Sequence, residues 1–239
     1  MTRSSFLMNP YKYEFPDPET AHDGLLCYGG DLSCDMLLSA YYQGIFPWYS
    51  KKDPIMWWSP DPRFVLFPEE FHIPSRLERF LRRNESLSEK EKFVFTMDAA
   101  FRSVITACSA VDRPGQDGTW ILPEMIDAYC AFHEAGYAHS FETWQNGNLV
   151  GGFYGVQLGS MFFGESMFSL VPEASKCAFV NFMKVFRSCG GRLLDSQVYT
   201  DHIARFGGRN ISRSAFLRLE SNYLYDCLDQ DMASFFSEQ

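Results

Sequence analysis

Nothing in this sequence of 239 residues reaches the roughly 18 uninterrupted apolar residues that a membrane span needs. Its most apolar stretch, residues 149–164, is broken by five glycines together with Gln157 and Ser160. The opening residues, MTRSSFLMNPYKYEF, contain no apolar core of a secretory signal, so a cytoplasmic protein is expected. The seven cysteines form no C-x-x-C pair and are odd in number, which argues against a disulfide framework and for reduced thiols in a core. Metal-ligand spacing is equally absent. The five histidines, at 22, 72, 133, 139 and 202, include no i, i+4 pair, and His133 and His139 flank an expected helix end where capping or packing accounts for them. No G-K-[ST] follows a strand, and the glycines of GGFYGVQLG sit inside a strand pattern rather than between a strand and a helix. They read as a close backbone approach or a bulge. ATP, NAD and coenzyme A are therefore unsupported, and neither a cofactor nor a metal is expected. Basic residues are scarce too: 21 Lys and Arg against 30 Asp and Glu leave a net charge of −9. That balance argues against non-specific coating of nucleic acid but leaves room for a local basic patch.

Aromatic residues are abundant instead. Twenty-three Phe, 12 Tyr and 5 Trp are more than a core ordinarily needs, so some should line a site. Ser33 is placed to cap a short helix, DMLLSAYYQ, that Gly44 stops. The stretch 45–63, IFPWYSKKDPIMWWSPDPR, holds four prolines and three tryptophans and is expected to be a rigid loop without regular elements. Beyond it, FVLF reads as a strand, RLERFLRR as a basic helix and FVFTM as a strand, with Asp98 expected to cap a helix over 99–109. After the loop 112–120, Pro123 opens a helix that Gly136 ends. AHSFETW and NLVGGFYGV form a hairpin about Asn146-Gly147, and SMFFGESM extends the meander. A long helix over 172–189 follows, with Ala178, Phe182, Val185 and Cys189 on one stripe, then the strand RLLDSQV. The last ten residues are expected to fray. The order defines an α+β protein with a mixed sheet, divided into a small N-terminal domain, 1–62, and a catalytic domain, 63–239.

Glu165 and Asp195 each interrupt an apolar strand, and a carboxylate in such surroundings must be paired, hydrogen-bonded or functional. Gln197, two residues after Asp195 on the same expected strand, points to the same face, so the two could address one site together. A structural polar network is as good an explanation as catalysis on spacing alone. Trp48 and Trp120 stand in loops beside Pro and Gly, where an indole can stack on a nucleobase for roughly 1–3 kcal/mol, or simply pack. Arg76, Arg79, Arg82 and Arg83 recur at spacings that share a helix face. A solvated face is the ordinary reading, yet in an acidic chain the cluster favours a phosphate-binding patch.

Residues 24–50, GLLCYGGDLSCDMLLSAYYQGIFPWYS, with PIMWWSPDPR, GTWI, GYAHSFETW, LVGGFYGV, FFGESMFS, ASKCAF and LLDSQV, resemble the leucyl/phenylalanyl-tRNA–protein transferases in collinear order from about residue 24 to 210. The resemblance implies a bacterial cytoplasmic aminoacyltransferase with an acetyltransferase-like (GNAT superfamily) C-terminal domain. It implies transfer of Leu, and also Phe and Met, from aminoacyl-tRNA to an N-terminal Arg or Lys, marking proteins for N-end rule degradation. Asp195, Gln197 and Glu165 match the family's catalytic residues, and Trp48 and Trp120 the aromatics around the terminal adenosine. Phe153, Phe162, Met167, Phe179, Phe182 and Leu194 match its apolar side-chain pocket. Such an enzyme needs no ATP, no metal and no membrane, and a monomer is expected. Phe153 departs from the family, where a smaller or more flexible residue is common, and HIARFGG differs from the usual run. On these roles Asp195 would bind and deprotonate the incoming amine through Gln197 or water, Gln197 would position it by hydrogen bonds, and Glu165 would hold either the donor's ammonium or the acceptor's cation. A coenzyme A-dependent acetyltransferase and a non-catalytic RNA-binding module remain as alternatives.

Overall fold

The computed structural model describes residues 11–88, 90–111 and 119–236. The small N-terminal domain is built from β1 (Leu25–Tyr28), α1 (Cys34–Tyr41), β2 (Phe46–Pro47) and β3 (Met56–Trp58), its three strands forming an antiparallel sheet in the order β1-β3-β2. Ser33 caps α1 as expected, its hydroxyl accepting from the Met36 N–H. The stretch 45–63 is not free of regular structure: β2 and β3 pair within it, Phe46 opposite Trp58. Gly44, at φ +72°, turns the chain from α1 into β2 where a Cβ would meet Leu217 Cδ2 at 2.5 Å.

The rest of the chain continues with β4 (Arg63–Leu66), α2 (Ser75–Glu85), β5 (Val94–Met97), α3 (Phe101–Ser109), α4 (Pro123–Glu134), β6 (Ala138–Gln145), β7 (Asn148–Leu158), β8 (Met161–Ser169), α5 (Ala174–Ser188), β9 (Leu193–Asp195), α6 (Asp201–Ala204), β10 (Arg209–Ile211) and α7 (Arg213–Tyr223). Seven strands form one sheet in the order β10-β4-β9-β8-β7-β6-β5. Only β8 and β9 run parallel, joined through α5, so the sheet is mixed and the α+β expectation holds. The expected loop at 112–118 lies outside the described residues.

Side-chain alternation divides the core between the two faces. Phe153 and Phe162 face α5, whose Phe179, Phe182 and Phe186 complete one apolar cluster. Tyr154 and Phe163, their neighbours in sequence, face α3, α4 and α1 on the other side, in a cluster that runs into the N-terminal domain. Gly155 sits at the bulge between Tyr154 and Gly155, where a Cβ would approach the Phe163 carbonyl oxygen to 2.3 Å, so the glycine cluster is a close approach within the sheet.

Two expectations fail for tertiary reasons. Asp98 does not cap α3, which begins at Phe101 behind Ala100. It adopts φ +58° and turns back to the sheet, accepting from the Ser140 N–H at 2.8 Å and pairing with His139 at 2.7 Å. The C-terminal residues do not fray as far as Phe236: Met232–Phe235 form a 3₁₀ turn, Met232 is buried and Phe236 packs on Phe141. No helix among the described residues is long and apolar enough to cross a membrane.

Candidate active site

A cavity of about 280 Å³ opens where the two domains meet beside the β8–β9 pair. Segment 46–48 and Trp120 form its aromatic rim. Phe153 from β7, Met167 from β8, Phe179 from α5 and Leu194 from β9 line its apolar depth. Phe162 and Phe182, expected in the same pocket, stand behind that lining; their rings contact Phe153 at centroid distances of 6.2 and 5.3 Å and are wholly buried. Trp48 is held by its own backbone, since its carbonyl accepts the Trp58 indole N–H at 2.6 Å.

Glu165 projects from β8 into this cavity. Its Oε1 accepts the Tyr41 hydroxyl at 2.7 Å and the Gln197 side-chain N–H at 3.2 Å. Tyr41 in turn lies 2.6 Å from the Tyr129 hydroxyl, and because Tyr41 spends its proton on Glu165, Tyr129 donates to Tyr41. Burial pushes both phenols well above their ordinary range, so they stay donors. Burial likewise pushes the Glu165 carboxyl up to about 7, against the Tyr41 hydrogen bond that favours its ionised form. An acid tuned to neutrality with a fixed donor on one side and an amide on the other can exchange a proton with a bound substrate near pH 7.

Asp195 and Gln197 do not share a strand face. β9 ends at Asp195, and Gln197 follows in a left-handed turn at φ +56°. Asp195 is fully buried and does not line the cavity: Arg63 donates to both its oxygens, Nε at 2.9 Å and Nη2 at 2.6 Å. It reaches the cavity indirectly, since its Oδ1 accepts the Gln197 backbone N–H at 2.9 Å. Sequence reading missed Tyr41, Tyr129 and Arg63. It also missed His202 on α6, which lines the cavity and whose pKa burial pushes down to about 4, leaving a neutral imidazole at pH 7. Tyrosine in an apolar helix has no signal separating it from core. The "PDPR" ending of the proline-rich stretch gives Arg63 no mark beyond its position at the start of β4.

Arg76, Arg79, Arg82 and Arg83 lie exposed on α2, outside the cavity, and pair with no carboxylate among the described residues. His133, His139 and Asp98 come together away from the cavity. Their near atoms are already in use: His133 Nδ1 lies 2.7 Å from the Ala138 carbonyl and His139 Nδ1 2.7 Å from Asp98. The trio reads as a brace between β5, α4 and β6.

Glu165 with its pKa raised to about 7, the Gln197 amide, an apolar lining and two indoles meet in one cavity, an arrangement that a packing core does not need. Residues 65–221 match the family described as leucyl/phenylalanyl-tRNA protein transferase, and residues 30–61 match that family's N-terminal domain. The leucyl/phenylalanyl-tRNA–protein transferase of Anaeromyxobacter sp. strain Fw109-5 is 53% identical over 209 residues, covering 87% of this chain and 86% of the relative. The protein of the same name from Myxococcus xanthus is 53% identical over 204 residues, covering 85% and 84%. A functionally unknown conserved protein of Staphylococcus epidermidis superposes with a TM-score of 0.36 at 13% identity, covering 64% of this chain and 57% of that one. The chain belongs to the leucyl/phenylalanyl-tRNA–protein transferase family.

Proposed function

We propose that the protein moves leucine, and also phenylalanine and methionine, from aminoacyl-tRNA to the α-amine of proteins beginning with Arg or Lys, marking them for N-end rule degradation in the cytoplasm. In this reading it acts as a monomer, and residues 63–239 form a GNAT-like catalytic domain following an N-terminal domain of residues 1–62. The meander β6–β7–β8, the crossover helix α5 and the parallel strand β9 support that fold assignment. The observation that carries the functional reading is Glu165, an acid near pKa 7 at the junction of an aromatic rim and an apolar recess.

The reaction is aminolysis of an ester. The amine nitrogen attacks the carbonyl carbon, the new C–N bond forms, and the bond from carbon to the ribose oxygen breaks. A protein α-amine titrates near 7.7–8.0, so about a tenth is neutral at pH 7. Glu165 takes the proton the nitrogen loses and can return it to the departing ribose oxygen, because an acid near pKa 7 is as ready to give as to accept. The tRNA's own neighbouring hydroxyl can relay that proton. Gln197 orients the amine by hydrogen bonding, and Asp195 acts through Gln197 rather than on the substrate. Trp48 and Trp120 stack on the terminal adenosine. Phe153, Met167, Phe179 and Leu194, backed by Phe162 and Phe182, hold the unbranched Cβ of the donor side chain.

The test mixes the protein with leucyl-tRNA, or with acetyl-CoA, and a peptide beginning with Arg. Leucylation from tRNA alone is expected. Acetylation from acetyl-CoA, or tRNA binding without transfer, overturns the reading.

A further inference from the structure

Arg63 occupies an unusual place for a cation. Its guanidinium is buried and held from several sides at once. Nε and Nη2 fork onto the Asp195 carboxylate at 2.9 and 2.6 Å. Nη1 donates to the Gly44 carbonyl at 3.1 Å. Its two faces lie against Phe46 and Phe216, 5.0 and 4.4 Å from the ring centres. Each partner fixes the plane of the group from a different element: β9, the turn after α1, β2 and α7. Glu220, buried on α7 beside Gly44, is pushed well above the usual carboxylate range by burial. Among the described residues the carboxylate hydrogen-bonded to the guanidinium is that of Asp195.

A pair so enclosed is weak as a source of stability, since desolvation offsets most of its Coulomb attraction. What it supplies is geometry. The Asp195 carboxylate held by the fork accepts the Gln197 backbone N–H, and the Gln197 side chain reaches Glu165. The left-handed turn at Gln197 is a conformation a non-glycine residue adopts only when its surroundings hold it there. Among the described residues, nothing else donates to both oxygens of Asp195. Lysine could not replace the fork, because an ammonium is a point charge on a flexible stem.

We propose that Arg63 is a positioning residue for the reaction: by locking Asp195 it holds Gln197 in its left-handed turn with the side-chain amide against Glu165. The proposal rests on the aminoacyl-transfer reading of this cavity. It separates Asp195 from the substrate and makes the order of control Arg63, Asp195, Gln197, Glu165.

The experiment is a double-mutant cycle on the full chain. Arg63→Lys is expected to lower kcat for leucyl transfer about 100-fold, the scale of an ångström of misplacement, while puromycin affinity stays within about threefold. The double variant Arg63→Lys with Asp195→Asn should lose no more kcat in total than Asp195→Asn alone, because both changes break one chain of hydrogen bonds. Where Arg63→Lys is too unstable to assay, the charge-free pair Arg63→Gln with Asp195→Asn is compared with Asp195→Asn, and equal kcat is expected. A kcat for Arg63→Lys within about threefold of the parent, additive losses in the cycle, or puromycin affinity falling in step with kcat would overturn the proposal. A second readout needs no turnover. The amide proton of Gln197, bonded to a carboxylate, should shift in the NMR spectrum of Arg63→Lys. An unshifted resonance overturns the positioning role, whereas a parent protein that transfers no leucine overturns the transfer reading alone.

Discussion

Glu165 carries opposite demands at the scale of a single residue. Its folded-state pKa of about 7 exceeds the ordinary 4.5, so between those pH values the folded chain binds more protons than the unfolded one. Stability therefore falls as pH rises through that window, and the deficit is complete above pH 7, reaching at most about 3 kcal/mol. Glu165→Gln should accordingly raise stability in urea at pH 8 and change little at pH 4. The same variant should lose about 10²–10⁴-fold in transfer rate together with the parent's rise in rate through pH 7. A variant whose rate and pH profile match the parent removes Glu165 from proton transfer. Carboxylates such as Glu165 and Asp195 are legible in sequence because they interrupt apolar runs. Tyr41 is not: its partner Glu165 stands 124 positions away, and no spacing links them. Asp195 was legible as important but not as enclosed, since its partner Arg63 lies 132 positions earlier.

Elements were readable where local chemistry and tertiary demand agree. Asn146 and Gly147 both adopt positive φ, the turn their dipeptide favours, and the alternation that follows sends Phe153 and Tyr154 to opposite faces. β2 and β3 escaped notice because strands of two and three residues among prolines carry no periodicity. The Asp98 cap was overridden by the stronger attraction of Ser140 and His139. β7 also carries the tightest packing near the cavity. At Gly155 a methyl would lie 2.4 Å from the Phe162 ring as well as 2.3 Å from the Phe163 carbonyl. Gly155→Ala should therefore destabilise by about 1–3 kcal/mol or more through forced backbone shift, read as a lower urea midpoint. It should also depress transfer, because Glu165 and Met167 follow on the paired strand. An unchanged midpoint would mean the bulge is soft.

The charge of the whole molecule is unevenly spread. A chain of net charge −9 gathers four exposed arginines on α2, which packs against α5, the helix that closes the apolar recess. Replacing Arg76, Arg79, Arg82 and Arg83 together with Ala should weaken tRNA binding. The slope of log K against log salt should flatten by about 3, at roughly 0.7–0.9 for each phosphate no longer neutralised. Puromycin, which lacks the tRNA body, should bind as before, and equal losses on both ligands would assign the helix to folding instead. The place of β4 in the sheet also shapes how the protein comes into being. This strand, residues 63–66, lies between β9 and β10, which the ribosome makes more than a hundred residues later. At roughly 5–20 residues per second, β4 waits on the order of ten seconds during synthesis with both edges unpaired. Arg63, at its head, meets Asp195 only at the end of that wait. On the positioning role proposed for Arg63, the nascent chain therefore has no assembled site to offer an aminoacyl-tRNA until almost its last strand has emerged.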